Sequence, residues 1–145
     1  MAVGYGKESV EVVLSINKGL FSSQRLDWQT PNEVYKQLDD EFHFDYDPCP
    51  PEPTKHGLLG DWGKRNFVNP PYGREIQKWL AKGYLEALKG KLVVFLIPSR
   101  TDARWWHNYV MKANEIRFIR GRLKFKGAKW NAPFPSCIVV FRGKK

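Results

Sequence analysis

"RNFVNPPYGREIQKWLAKGYLEALKGKLVVFLIP", residues 65–98, decides how this chain folds. RNFV (65–68) is short, carries the apolar pair Phe67 and Val68, and reads as a strand. KLVVFLIP (91–98) is a continuous apolar run, the pattern of a strand buried on both faces. Between them Ile76, Trp79, Leu80, Gly83, Tyr84 and Ala87 share one side of a helix that Gly90 terminates. Strand, helix and buried strand in that order argue for a mostly parallel sheet covered by helices.

The segments on either side extend this unit. Upstream, DWQTPNEVYKQLDDEF (27–42) reads as a helix, with Val34, Leu38 and Phe42 at spacing four. Thr30 can cap it, Pro31 loses nothing at its first turn, and Glu33 can reach back to the cap. In FHFDYDPCP (42–50) Phe42, Phe44 and Tyr46 alternate with His43 and Asp45, which predicts a strand ending at Asp47-Pro48. PPEPTKHGLLGDWGK (50–64) is a turn-rich loop. Downstream, DARWWHNYVMKAN (102–114) looks helical, and EIRFI (115–119), RLKF (122–125) and SCIVVF (136–141) read as strands broken at Gly121 and Gly127. A strand-only end argues for an antiparallel edge. Residues 1–20, with VEVVLSI between Gly4, Gly6 and Gly19, form an ordered or half-ordered arm. Residues 21–145 are expected to be a single α/β domain.

Composition narrows the function classes. The 145 residues carry a formal net charge of +9, which favours a polyanionic partner, nucleic acid first. A merely basic, soluble surface is the plain alternative. With 2 Cys and 3 His and no C-x-x-C or H-x-x-x-H spacing, no metal site is expected, although a disulfide between Cys49 and Cys137 is formally possible. The longest apolar stretch, LVVFLIP, is far too short to span a bilayer. The first residues lack a basic start followed by a long apolar run, so no signal peptide and no membrane association are expected.

Asn69-Pro70-Pro71-Tyr72 falls where the first strand hands over to the helix, the place where open α/β sheets bind ligands. Pro70 forces Asn69 out of the helical region, and both prolines have fixed φ and no N–H. The loop is therefore stiff, with bare carbonyl acceptors, a further acceptor on the Asn69 side chain and the flat ring of Tyr72. A planar amino group on a heterocycle fits it. Two placed acceptors hold both amino hydrogens and favour the pyramidal form, whose lone pair can attack an electrophile, through preorganised electrostatics. An ordinary proline turn is the bland alternative.

With its neighbours, the motif resembles the phage and prophage DNA adenine methyltransferases of the Dam type, which use S-adenosylmethionine. The resemblance runs from FSS at 21 to IVVF at 138–141 and includes DWQTP, EFHFDYDPCP, GDWGKRNFVNPPYG, LVVFLIPSRTDARWW and IRFIRGRLKF. It implies a Rossmann-like three-layer methyltransferase sandwich. It also implies that Asn69 and the Pro70 carbonyl hold the target amino group, in a catalytic loop completed by Pro71. Tyr72 would stack on an adenine flipped out of double-stranded DNA. Asp47, Pro48 and Cys49 would form the first motif of the cofactor pocket, and Trp28, Gln29, Thr30 and Pro31 would line its methionine end. Asp61 would contact the cofactor's adenine or its loop. The chain departs from the wider methyltransferase class in having DPCPPEPTKHG where a glycine-rich turn is usual, so Asp45 and Asp47 can exchange roles.

With no signal peptide and no spanning run, a cytoplasmic protein is expected, in a bacterial host if phage-encoded, and most simply a monomer; the resemblance adds GATC as the family's site. In IPSRTDARWWH, Ser99, Arg100, Asp102 and Trp105 are candidates for DNA or active-site contact; helix capping by Thr101 or Asp102 and core packing of the tryptophans are the structural alternatives. From Lys112 to Lys129 there are seven basic residues and one acid, Glu115. Arg117, Arg120, Arg122, Lys124 and Lys126, broken by Phe118 and Phe125, are expected to contact phosphates. Two other functions compete: an amino-methyltransferase acting on RNA or a protein glutamine through the same loop, and an inactive module of this fold that only holds nucleic acid.

Overall fold

The computed structural model describes residues 28–50 and 57–143. The expected arm at residues 1–20 and the FSS segment lie outside them. Helix α1 (Asn32–Phe42) precedes strand β1 (Arg65–Val68), helix α2 (Ile76–Leu88) and strand β2 (Leu92–Pro98). Short helix α3 (Arg104–Asn108), a 3-10 turn at Val110–Lys112, and strands β3 (Glu115–Phe118) and β4 (Ser136–Phe141) complete the order. The protein is α/β.

The sheet order is β1-β2-β4-β3. β1 and β2 are parallel, with Phe67 opposite Val94, whereas β2–β4 and β4–β3 are antiparallel. One parallel pairing out of three makes the sheet mixed, which corrects the expectation of a mostly parallel one. The antiparallel C-terminal edge is present. Every residue of β2 and of β4 is buried, so apolar continuity here does report strands covered on both sides.

Alternate residues of each strand serve opposite faces. Val93, Phe95, Ile97, Val139 and Phe141 pack with Ile76, Trp79 and Leu80 of α2 and Trp106 of α3. Val94, Leu96, Ile138 and Val140 pack instead with Leu38 and Phe42 of α1 and with Phe125 and Phe134. Each fully buried side chain of this size contributes ~1.5–3 kcal/mol. Gly83 sets how closely α2 lies on the sheet, since a Cβ there would sit 2.4 Å from the Phe95 ring.

Two expected strands are absent, for local reasons. Helix α1 runs through Phe42 and ends on His43 in the left-handed region, φ 55°; Asp39 accepts His43 N–H on its carbonyl and Phe44 N–H on its carboxylate. This uses up the start of FHFDY, so only Tyr46 pairs, in parallel with Asn66. RLKF is likewise no strand. Gly121 and Gly127 both have positive φ, and Phe125 turns inward beneath Trp28. The expected cap also differs: Pro31 is the N-cap residue, no side chain caps α1, and the Thr30 hydroxyl is engaged elsewhere. Helix α3 begins at the N-cap Ala103, again with no side-chain cap from Thr101 or Asp102.

Candidate active site

Asn69 follows β1 directly, at the carboxyl end of the parallel pair. Its Nδ2 donates to the Trp28 carbonyl at 2.7 Å and to Thr30 Oγ1 at 3.1 Å. Both amide hydrogens are thereby committed, and Oδ1 is turned the other way. There it accepts the Tyr72 hydroxyl at 2.8 Å, which also lies 3.3 Å from the Leu96 carbonyl. A carbonyl has two lone pairs, so Oδ1 keeps acceptor capacity beside Tyr72. Asn69 and Pro71 are half-buried and Pro70 is buried, as a stiff loop seated on the sheet requires.

Tyr72 is a proton-bearing donor throughout the physiological range. Burial raises its hydroxyl well above the ordinary phenol value, and the neighbouring Cys137 and Cys49 push it the same way. Its ring meets Phe134 edge-to-face at 5.7 Å and Phe125 at 6.4 Å. Trp28 packs on the same two rings at 5.1 and 5.2 Å. Sequence reasoning had left Phe125 and Phe134 out of the site. Each is one apolar ring between polar or rigid neighbours, K-F-K and P-F-P, and that isolation was the available signal.

The segment Trp28–Pro31 therefore touches the Asn-Pro-Pro-Tyr loop itself. Gln29 pairs with Lys126, whose N–H donates to the Gln29 carbonyl at 2.9 Å, and the Pro31 carbonyl accepts Tyr35 N–H. Asp45 is exposed and accepts Arg65 N–H at 3.1 Å. Asp47 is half-buried and accepts Cys49 N–H at 2.9 Å. After the single parallel bridge of Tyr46 to Asn66 the chain bends at Pro48 and Cys49, and Cys49 lies close enough to Tyr72 to act on its hydroxyl, which puts it at the loop end. Pro48 and Cys49 are buried, and Cys49 and Cys137 are both free thiols.

Asp61 lies elsewhere. It is exposed and pairs with Lys89 at 3.1 Å, just before β2 begins, so it stands at the opposite end of the parallel strands from Asn69. The hydrogen bond from Lys89 holds its carboxyl below the ordinary value.

The residues expected at DNA also divide. Ser99 and Ser136 sit where β2 and β4 meet at the loop end, Pro98 facing Ser136; the Ser136 hydroxyl is enclosed without a hydrogen bond among the described residues, and that of Ser99 is enclosed beside the Cys137 thiol. Burial raises the nearby Cys137 thiol to about 11, against an opposing pull from Ser99. Arg100 lies over the Phe134 ring at 5.8 Å, and Asp102 is exposed. Trp105 joins Gly73, Arg74, Glu75, Gln77 and Lys78 around an open groove just past the Asn-Pro-Pro-Tyr loop. Arg120, Arg122, Lys124 and Lys126 are exposed and make no ion pair with a described residue. Arg117 differs: it bonds Glu41 through both terminal nitrogens at 2.7 Å and Glu115 at 2.6 Å. Those carboxylates hold its guanidinium pKa above the ordinary value.

Among the described residues, no group of three His, Cys, Asp or Glu side chains could hold a metal ion. No helix among them is long and apolar enough to cross a membrane.

Comparison with known proteins adds independent evidence. The family of DNA N-6-adenine-methyltransferases (Dam) matches residues 19–141. A protein of Haemophilus phage HP1 (strain HP1c1), a DNA N-6-adenine-methyltransferase, is 30% identical over 105 residues. That alignment covers 63% of this chain and 61% of the phage protein, so the chain spans under two thirds of that relative's length. No solved structure matches.

Proposed function

Because the chain belongs to the DNA N-6-adenine-methyltransferase (Dam) family, we propose that it transfers a methyl group from S-adenosylmethionine to the N6 amino group of adenine in double-stranded DNA, with GATC as its site. The observation that carries this reading is the fixed carboxamide of Asn69. Trp28 and Thr30 hold its amino end, which leaves the carbonyl oxygen as the group presented at the end of the sheet. A substrate with two N–H donors on a ring is what such an acceptor selects.

The residues present fit the cofactor by the chemistry of their groups. Asp45 and Asp47 offer carboxylates for a hydroxyl or ammonium, Pro48 and Cys49 an apolar wall, and the Trp28–Pro31 segment a polar backbone against the loop. Asp61, at the far end of the sheet, is not part of this proposal. When bound, S-adenosylmethionine supplies the electrophilic methyl group. Asn69 Oδ1 and the Pro70 carbonyl accept the two hydrogens of the target amino group. This draws its nitrogen toward the pyramidal form, and the pre-set acceptors need no reorganisation. Tyr72, held protonated, supplies a ring against the base and a hydroxyl that steadies Asn69. Duplex adenine is out of reach of such a loop, so the base is flipped out. Exposed Arg120, Arg122, Lys124 and Lys126 contact phosphates, and Ser99, Arg100, Asp102 and Trp105 border the entering strand. Residues 21–145 act as one methyltransferase domain. Helices on both faces of the mixed sheet support a Rossmann-like three-layer arrangement.

The test is methyl transfer from labelled S-adenosylmethionine to duplex DNA, RNA and protein, followed by nucleoside analysis. N6-methyladenine in duplex DNA is expected. Label in RNA or in protein glutamine, or in nothing, overturns the proposal.

A further inference from the structure

Trp130 is the most exposed large apolar side chain among the described residues, at 77%. Single exposed apolar residues are ordinary, but the setting of this one is not. Phe125 and Phe134, whose ring centroids lie 6.1 Å apart, both pack on Tyr72 and Trp28. The chain between them makes a closed excursion beside the catalytic loop. It is pinned at its base by Lys126 N–H to Gln29, Ala128 N–H to Phe125 and Ala132 N–H to Leu123, and it turns at Gly127 with φ +83°. Lys129, Trp130 and Asn131 form its exposed tip. Trp130 is four residues from Phe134, so its Cα lies within ~14 Å of that anchor by chain length alone. Arg122, Lys124, Lys126 and Lys129 are exposed on the same stretch of chain. Exposed Phe118, by contrast, stacks on Trp106.

A rigid, planar, apolar ring on a pinned loop, with cations around it, matches the two chemistries of a DNA duplex: phosphates outside and a base stack within. We propose that Trp130 enters the base stack beside the target adenine and fills the space it leaves, which makes it a positioning residue for flipping. This rests on the reading of the site as a DNA adenine methyltransferase. The lysines hold the backbone while the ring replaces the stacking that the extruded base gives up.

The experiment compares native protein, Trp130→Ala and Trp130→Phe at the methylation site mapped by nucleoside analysis. Two duplexes are used, one with the target adenine paired to thymine and one with it opposite an abasic position. An unpaired base is easier to extrude, so the wedge matters less there. Trp130→Ala should lose ~10- to 100-fold in rate on the paired duplex, the scale of one lost base–aromatic stack, and under ~3-fold on the unpaired one. Trp130→Phe should keep most of the native rate on both. Equal rates for native and Ala proteins on the paired duplex, or an equal loss on both duplexes, overturns the inference while the methyltransferase reading stands. A native protein that methylates no DNA overturns the reading of the site and this inference with it.

Discussion

Asn66 and Asn69 lie three residues apart at either end of β1, and their side chains are used in opposite ways. Asn66 is fully buried, and backbone satisfies it: its Oδ1 accepts Gly63 N–H, and its Nδ2 donates to the Gly63 and Leu92 carbonyls. Asn69 is half-buried, and its partners are the Trp28 carbonyl and Thr30 hydroxyl from a distant segment and the Tyr72 hydroxyl three residues on. The ends of the sheet follow suit. Beside Asn66, the Glu86 carboxylate, with no exposed surface, gathers Lys82, Lys89, Lys91 and the Trp62 N–H. Beside Asn69 no such cluster of charges forms, and the enclosed Ser136 hydroxyl has no hydrogen bond among the described residues. Saturated polar groups fix a fold. The two amides make the same three kinds of bond, so what separates them is exposure: the oxygen of half-buried Asn69 is one that a substrate can reach.

The largest effect should come from the saturated end. Glu86→Ala leaves three lysines around an empty centre, and chemical denaturation should register a loss of about 3 kcal/mol, the range for removing one partner of a buried ion cluster. Burial alone would raise the Glu86 carboxyl, but hydrogen bonds from Lys82, Lys91, Trp62 N–H and Lys89 outweigh it and bring it down to about 2 from an ordinary 4.5. Because the folded value is the lower one, this stability is complete above pH 4.5 and drains away as pH falls toward 2. The gap corresponds to roughly 3 kcal/mol. Glu86→Gln should flatten the stability profile across that window. A native protein equally stable at pH 5 and pH 2.5 would deny the cluster this role.

Smaller effects should distinguish the two sorts of arginine. Replacing Arg120 and Arg122 together by Ala should weaken duplex binding several-fold and flatten the salt dependence by roughly one unit of slope per lost phosphate contact. Arg117→Ala should leave that slope unchanged and instead lower stability, because its guanidinium is already spent on Glu41 and Glu115. A changed slope for Arg117→Ala would return it to the DNA surface. Smallest of all, Thr30→Val removes one of the two acceptors that orient Asn69. About 1 kcal/mol of stability and a several-fold loss in turnover are expected, as for one neutral hydrogen bond. Native turnover in Thr30→Val would mean that Trp28 alone sets the carboxamide.

The comparison also explains what could be read in advance. RNFV and LVVFLIP were legible because a strand's burial is written in consecutive residues, and α2 because its apolar face recurs within one turn. FHFDY misled because alternation continues through a helix end: Phe42 belongs to the last turn of α1, and His43 takes the left-handed cap. The Asn-Pro-Pro-Tyr loop was legible as a stiff set of acceptors, since its rigidity is local. Its partners were not. Trp28 and Thr30 reach Asn69 across 41 and 39 residues, and Phe134 reaches Tyr72 across the whole of α2, β2, α3 and β3, contacts that only folding creates. Arg117 looked like its basic neighbours because nothing near it in sequence announces Glu41, 76 residues away.

The central claim is that Asn69 is placed for chemistry and Asn66 for folding. Its most direct test is the turnover of Asn69→Ala in methyl transfer to duplex DNA, measured with the melting temperature of the same preparation. The account predicts a fall of ~100-fold or more, the scale for one preorganised polar group lost at a reacting centre, with melting lower by only a few degrees. A folded Asn69→Ala protein that methylates DNA at the native rate would contradict it.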